Sequence, residues 1–246
     1  MKIIASDFDG TISYNGISEA DSKAISKFRK AGNKFGIVTG RDLEMTLWVL
    51  HDLKKFNTEV DFVICCTGAI ILTGEGEILK IKKGKVTERF HDIIAKARSL
   101  GVGNFNFNNG LKRVYIDPRA KIPYDLDDLR EFTQVNVWFA NEESSEKFSE
   151  YIVKENSDVI CAYRNGGSVD MPPINTSKVT GIYDYASILG ERDIEIYTVG
   201  DNLNDIPMIK EFCGFAVSNA RPEVKAEAKH QCDRIADMIE FIMEEK

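Results

Sequence analysis

The sequence contains no cysteine pair at the two-residue separation of a zinc site, and its five cysteines are odd in number. Four of them lie in or beside apolar runs, where cysteine serves as a small buried hydrophobe. A disulfide framework is therefore not expected, and a reducing cytoplasm is the compartment that fits. Histidine is scarce: His51, His91 and His230 fall on segments that read as helical, away from every motif, so histidine-based catalysis is not expected either. No apolar run approaches the length of a membrane span, and the run behind Lys2 is too short for a signal peptide. Internal repeats and low-complexity tracts are missing. Positive charge is in deficit, with 32 Lys and Arg against 39 Asp and Glu, a net −7. Such a chain is a poor ligand for nucleic acid or an anionic membrane.

What remains is an ordinary globular composition, 43% hydrophobic and 29% charged over 246 residues. That length suits one large domain or a core carrying a modest insert. The apolar run Ile3-Ile4-Ala5 reads as a short buried strand and leads into Ser6-Asp7-Phe8-Asp9-Gly10-Thr11. Asp7 and Asp9 are two residues apart, so on an extended backbone they point to one side. Like charges that close resist joint ionisation unless a cation sits between them or one keeps its proton as an acid. Ordinary turn carboxylates before a glycine would read the same way.

The rest of the chain bears on that choice. A helix is expected from Glu19 to Ala31 behind a Ser18 cap, then a strand at 35–38 ending in Thr39-Gly40-Arg41. Asp42 begins a second helix; 62–66 is a third buried segment, and 70–72 with 78–79 suggests a hairpin. Alternating strand and helix is the signature of a parallel sheet with crossover helices. The rhythm changes after about Lys80. A helix over 87–100, strands at 104–108 and 112–116 joined by Asn109-Gly110, a short helix over 127–132, a strand at 135–140, a helix over 142–155 and a hairpin around Asn165-Gly166-Gly167 form an α+β pattern. The α/β rhythm then resumes with a helix over 178–189, a strand at 194–199 and a last short strand at 215–217. The fold expected is a Rossmann-like, doubly wound, mostly parallel α/β core built from 1–79 and 173–246, with an inserted α+β domain over 80–172.

Several segments with chemistry then end at one sheet edge, where open α/β sheets bind ligands. Asp7 and Asp9 follow the first strand, Thr39 the second, and Asp201 and Asp205 the fourth. Gly200-Asp201-Asn202-Leu203-Asn204-Asp205 is rich in oxygen ligands and suits a hard cation such as Mg²⁺, or an Asx-rich turn with a helix cap. Lys178 opens a helix, where its charge opposes the helix dipole unless both face an anion; a solvated surface lysine is the alternative. A hydroxyl and backbone N–H groups at Thr39-Gly40 can hold phosphate oxygens.

Asp7-Phe8-Asp9-Gly10-Thr11, Thr39-Gly40-Arg41, Lys178 and Gly200 to Asp205 resemble, in order and spacing, the four motifs of the haloacid dehalogenase superfamily. The long insert resembles the class II, subtype B cap of its Cof-type phosphatases. The resemblance implies a Mg²⁺-dependent phosphatase of small phosphorylated metabolites, a sugar phosphate or phosphoglycolate, working as a cytoplasmic monomer or homodimer. It implies Asp7 as nucleophile, Asp9 as acid and base, and Asp7, Asp9, Asp201 and Asp205 around the metal. Thr39, Gly40, Arg41, Lys178 and Asn204 would meet the substrate. Arg164 and Asn165 are either substrate contacts or exposed hairpin residues. The chain departs from the family pattern at Thr67-Gly68-Ala69, where many relatives carry Asn-Gly-Ala. A phosphomutase of the same fold is the nearest alternative. A nucleotide-sugar transferase with an Asp-x-Asp metal site explains Asp7 and Asp9 alone, and a pure binding module has no use for paired, repelling carboxylates.

Overall fold

The computed structural model describes residues 1–14, 16–110, 112–117 and 129–244. The chain opens with β1 (Lys2–Ser6), α1 (Glu19–Lys30), β2 (Lys34–Val38), α2 (Leu43–Lys55), β3 (Phe62–Cys65), β4 (Ile70–Thr73) and β5 (Ile78–Ile81). Next come β6 (Gly84–Lys85), α3 (Arg89–Ser99), β7 (Val102–Asn108), β8 (Arg113–Ile116), β9 (Glu131–Phe132) and β10 (Gln134–Phe139). They are followed by α4 (Glu142–Glu155), β11 (Tyr163–Asn165) and β12 (Ser168–Met171). The final stretch holds α5 (Lys178–Leu189), β13 (Glu195–Gly200), α6 (Ile206–Glu211), β14 (Cys213–Val217), α7 (Pro222–Glu227), β15 (His230–Cys232) and α8 (Ile235–Glu244).

The larger sheet has the order β15-β14-β13-β1-β2-β3-β4-β5. Its first six strands run parallel, and β4 and β5 fold back antiparallel. Its inner strands are largely apolar on both faces, as a sheet covered on both sides requires. Ile4, Phe35, Val63 and Cys65 pack with Ile25 and Phe28 of α1 and Val49 and Leu53 of α2. Their sequence neighbours Ile3, Ala5, Phe62 and Ile64 pack on the other side with Ile182 and Tyr185 of α5 and Met208 of α6. This is the doubly wound α/β arrangement expected from the alternation of elements. β5 extends to Ile81, so the sheet includes the two residues past position 79.

The second sheet, β11-β12-β10-β7-β8, is antiparallel throughout. Its sequences alternate strictly, Asn-Phe-Asn-Phe-Asn over 104–108 and Gln-Val-Asn-Val-Trp over 134–138. Phe105, Phe107, Val135, Val137, Val169 and Met171 pack with Phe90 and Ile93 of α3 and Phe148 and Ile152 of α4. The period of two sends Asn104, Asn106, Asn136, Trp138, Ser168 and Asp170 to the opposite face, which borders the cavity described below.

The structure departs from expectation at three points. The segment 127–132 lies partly outside the described residues, and its end, Glu131–Phe132, pairs as a strand with Gly84–Lys85 instead of forming a helix. The strand at 215–217 is not the last, because β15 adds to it in parallel. His230 is consequently on a strand, held between the rings of Phe215 and Phe241 at 4.8 Å from each. Its polar flanks hide this short edge strand from a periodicity argument.

The alternation is testable. Phe107→Ala removes a side chain with no exposed surface and should cost about 3–5 kcal/mol in urea unfolding. Asn104→Ala, at a residue itself exposed on the polar face of the same strand, should stay within about 0.5 kcal/mol. Equal losses would mean that the two faces are not divided in this way.

Candidate active site

β1 lies between β13 and β2, and its pairing carries on past its end, where the Asp7 N–H donates to the Val199 carbonyl at 2.9 Å. The Asp7 carboxylate therefore projects from the carboxyl edge of the sheet centre. Gly10 turns the chain with φ +78°, and a Cβ there would lie 2.5 Å from Asp201 Oδ2. Glycine is required for this close approach as well as for the turn. Thr11 Oγ1 then donates to Asp201 Oδ1 at 2.9 Å.

Lys178 is brought in by α5. The Ser177 and Thr180 side chains cap one another's backbone N–H groups at its start. A Cβ at Gly68 would collide with the Ser177 carbonyl, and one at Gly181 with Ile64. The two glycines let the helix start press against the turn after β3. Lys178 is only 2% exposed, and its Nζ donates to Asp7 Oδ1 and Asp205 Oδ1, each at 2.6 Å. It is not the surface lysine that its helical position alone allowed. Asp205 has its other oxygen on the N–H groups of Asp201 and Asn202, both at 3.1 Å, which fixes the loop that carries Asp201.

Carboxylate oxygens of Asp7, Asp201 and Asp205 lie within 4.8 Å of one another. Burial raises the Asp7 carboxyl well above the usual range, and Asp205 adds to this while Lys178 opposes it. Burial and then Asp205 push Asp201 up to about 6. Burial alone would lower the Lys178 ammonium, but Asp205 and Asp7 outweigh it and raise its pKa. Three carboxylates facing one ammonium leave an excess of negative charge with hard oxygen donors. That donor set fits a divalent cation such as Mg²⁺.

Asp9 is placed differently. Its carboxylate is outside the three-acid group and accepts two hydrogen bonds from Arg41, Nε to Oδ2 at 2.8 Å and Nη2 to Oδ1 at 2.6 Å. The Arg41 guanidinium also lies over the Phe8 ring. Thr39 is buried, and its hydroxyl accepts from the Arg41 N–H at 3.1 Å.

Asp7, Asp9, Thr39, Gly40, Arg41 and Asp201 open onto one cavity of about 600 Å³, bordered also by Asn204. Lys178 and Asp205 sit beneath it. The opposite wall is the polar face of the second sheet. There Asn136 Nδ2 donates to Asp170 Oδ1 at 2.7 Å and Asn108 Nδ2 to Asn136 Oδ1 at 2.9 Å. Burial pushes the Asp170 carboxyl up to about 6. Tyr115 and Trp138 add aromatic surface. Arg113 reaches across to Asp42, the N-cap of α2. Asn165 borders the cavity and accepts from Asn202 Nδ2 at 2.7 Å, whereas Arg164 turns to Glu146 and does not border it. Sequence reading missed this wall, although the alternation of Asn with Phe over 104–108 signalled a sheet with one polar face and one buried.

Residues 4–124 and 112–238 match the family model of haloacid dehalogenase-like hydrolases. The chain belongs to this family. Among curated relatives, the phosphoglycolate phosphatase of Staphylothermus marinus is 26% identical over 230 residues, 93% of this chain and 90% of that protein. A haloacid dehalogenase-like hydrolase from B. subtilis shares the fold with a TM-score of 0.80 at 19% identity, covering 98% and 99% of the two chains. The subclass IIB sugar phosphatase BT4131 gives 0.79 at 20% identity, with 99% of each chain covered. The expected membership in the haloacid dehalogenase-like hydrolases, and their doubly wound fold, therefore hold for this chain.

The buried Asp170 of this hydrolase yields a pH prediction. Its carboxyl titrates near 3.8 when unhindered and near 6 in the fold. The folded state therefore keeps this proton longer than the unfolded chain, and the stability so gained is lost as pH rises from about 4 through 6. Asp170→Asn is free of that loss. Its stability relative to wild type should rise by about 1–3 kcal/mol between pH 4 and 7 in urea unfolding. A pH-independent difference would show that Asp170 is not held in a low-dielectric site.

Proposed function

We propose that this hydrolase is a Mg²⁺-dependent phosphatase that cleaves a small phosphomonoester through an aspartyl-phosphate on Asp7. The observation that supports it most is the Asp7 carboxylate, clamped by Lys178 at the floor of the cavity between the two sheets and bordered by Thr39, Gly40 and Arg41. The division into a core of 1–79 and 173–246 and a cap of 80–172 belongs to the same proposal.

In this reading an Asp7 oxygen attacks phosphorus as the bond to the leaving alkoxide breaks. Lys178, the Thr39 hydroxyl and the Gly40 backbone hold the phosphoryl oxygens, since phosphoryl transfer is governed by alignment and charge neutralisation. Asp9, in its acid form, gives a proton to the departing oxygen. It then takes one from the water that attacks the aspartyl-phosphate, which regenerates Asp7 and frees inorganic phosphate. For this Asp9 must leave Arg41, and its side chain, 54% exposed, has the freedom to do so. Asp7, Asp201 and the Asp9 backbone carbonyl would hold Mg²⁺, with Asp205 in support; the ion, when bound, supplies positive charge to the phosphoryl oxygens.

The wall opposite Asp7 bears on the substrate. The amides of Asn104 and Asn106 and the Ser168 hydroxyl suit a hydroxylated leaving group, while Asn136 is already held between Asp170 and Asn108. Of the two arginines at the cavity, Arg113 on this wall is engaged with Asp42, and Arg41, once Asp9 leaves it, stands beside Thr39 and Gly40 on the phosphoryl side and not on this wall. Among the described residues no unpaired cation stands on this wall to take a carboxylate or a second phosphate. This favours a neutral sugar or polyol phosphate over phosphoglycolate, and hydrolysis over a mutase that must grip a bisphosphate.

Phosphate release from a panel of sugar, polyol and carboxylated phosphomonoesters, with and without Mg²⁺, tests this. Sugar or polyol phosphates should exceed phosphoglycolate at least tenfold in kcat/KM. Release should need the metal and vanish in Asp7→Asn. Turnover that survives Asp7→Asn would overturn the mechanism, and a preference for phosphoglycolate would overturn the reading of the wall.

A further inference from the structure

The turn after β2 has three successive carbonyls whose partners can all be named. The Thr39 carbonyl accepts from the Thr67 N–H at 3.2 Å, and the Arg41 carbonyl from the Cys66 N–H at 2.8 Å. Both donors come from the neighbouring turn of the same sheet. The carbonyl between them, that of Gly40, accepts instead from Gln134 Nε2 at 2.6 Å. Gln134 stands at the start of β10, in the second sheet, and has no exposed surface. Its other amide atom is also used, because Oε1 accepts from Thr67 Oγ1 at 3.0 Å. A closed ring results, from Gly40 through the Gln134 amide to Thr67 and back through Thr39.

Two further features bear on the ring. Thr67 has φ +52°, a left-handed conformation that a β-branched residue keeps only when its surroundings fix it. Its hydroxyl is fixed by Gln134. Gly40 has no room for a side chain, because a Cβ would collide with Asp170 Oδ2, also from the second sheet. The turn that carries Thr39 is thus held on one side by its own sheet and on the other by the inserted segment.

We propose that Gln134 is a positioning residue that couples the seating of the second sheet to the geometry of the Thr39-Gly40-Arg41 turn. The turn keeps its phosphoryl-binding shape only while the inserted segment is docked. This rests on the phosphoryl-binding role given above to Thr39 and Gly40. A buried carbonyl left unpaired draws the backbone toward another donor or toward water. An undocked segment therefore releases the Gly40 peptide, and the hydroxyl and N–H groups beside Asp7 lose their alignment. Chemistry is thereby confined to the docked arrangement.

Gln134→Glu tests this with little change in size. The carboxylate still accepts from Thr67 but sets an acceptor against the Gly40 carbonyl. Gln134→Met fills the space with neither bond and serves as the second variant should Gln134→Glu not fold. Backbone hydrogen exchange of the 39–41 peptide, followed by mass spectrometry, reads the turn without any substrate. It stands even if the chain cleaves no phosphomonoester.

Exchange at 39–41 should quicken at least tenfold in the folded variant, with β1 and β13 unchanged. On a substrate identified for wild type, kcat should fall tenfold or more while KM moves less than about threefold, as misplacement of a positioned group predicts. Thr67→Val combined with Gln134→Met should cost no more than Gln134→Met alone, because both break one ring. Unchanged exchange at 39–41, or an equal rise throughout the core, would overturn the proposal; the latter would make Gln134 a merely stabilising residue.

Discussion

Three buried or half-buried carboxylates and one buried ammonium meet at the carboxyl end of the central strand, and their charges do not balance. Lys178 can offset only one of Asp7, Asp201 and Asp205. Removing charges from water is costly unless they are paired and hydrogen-bonded. The arrangement is held by backbone geometry that leaves these side chains no retreat. Asp7 continues the β1–β13 pairing, Asp205 is fastened to the N–H groups of its own loop, and Lys178 is the first residue of a doubly capped helix pressed onto glycines. The residual negative charge is what a divalent cation would relieve.

The second sheet answers a different problem with the same device. A period of two gives it one apolar face, filled by α3 and α4, and one amide-rich face turned toward the acids. Among the described residues, polar links between the two parts include Gln134 to Gly40 and Thr67, Arg113 to Asp42, Asn202 to Asn165 and Arg221 to Glu142. Polar links of this kind exchange with water at modest net cost, unlike a packed apolar seam.

Much of this was legible in the sequence. The buried runs ending in Asp7, Thr39 and Asp201 placed the site at one sheet edge, because parallel strands buried on both faces are nearly continuous in hydrophobicity. The Ser18 helix cap was legible because its chemistry is local. The bidentate pairing of Asp9 with Arg41, and the bridge made by Gln134, were not. Both join residues distant in the chain, and neither has a local pattern. β15 and His230 were misread because an edge strand of three residues offers too little length for a period to appear.

The position of β1 has a consequence for how the chain folds. It lies at the centre of the larger sheet, yet one of its two neighbours, β13, begins almost two hundred residues later, with Lys2 beside Glu195. The second sheet, by contrast, is paired from strands within a span of seventy residues, Val102 to Met171. During synthesis at about 5–20 residues per second, β1 waits roughly 10–40 s for its partner. Contacts of such sequence separation form slowly, because loop closure precedes any gain from burial. The inserted segment is therefore the first part able to complete its own sheet. The acidic end of β1 takes its final surroundings only later, when β13 slides in beside it.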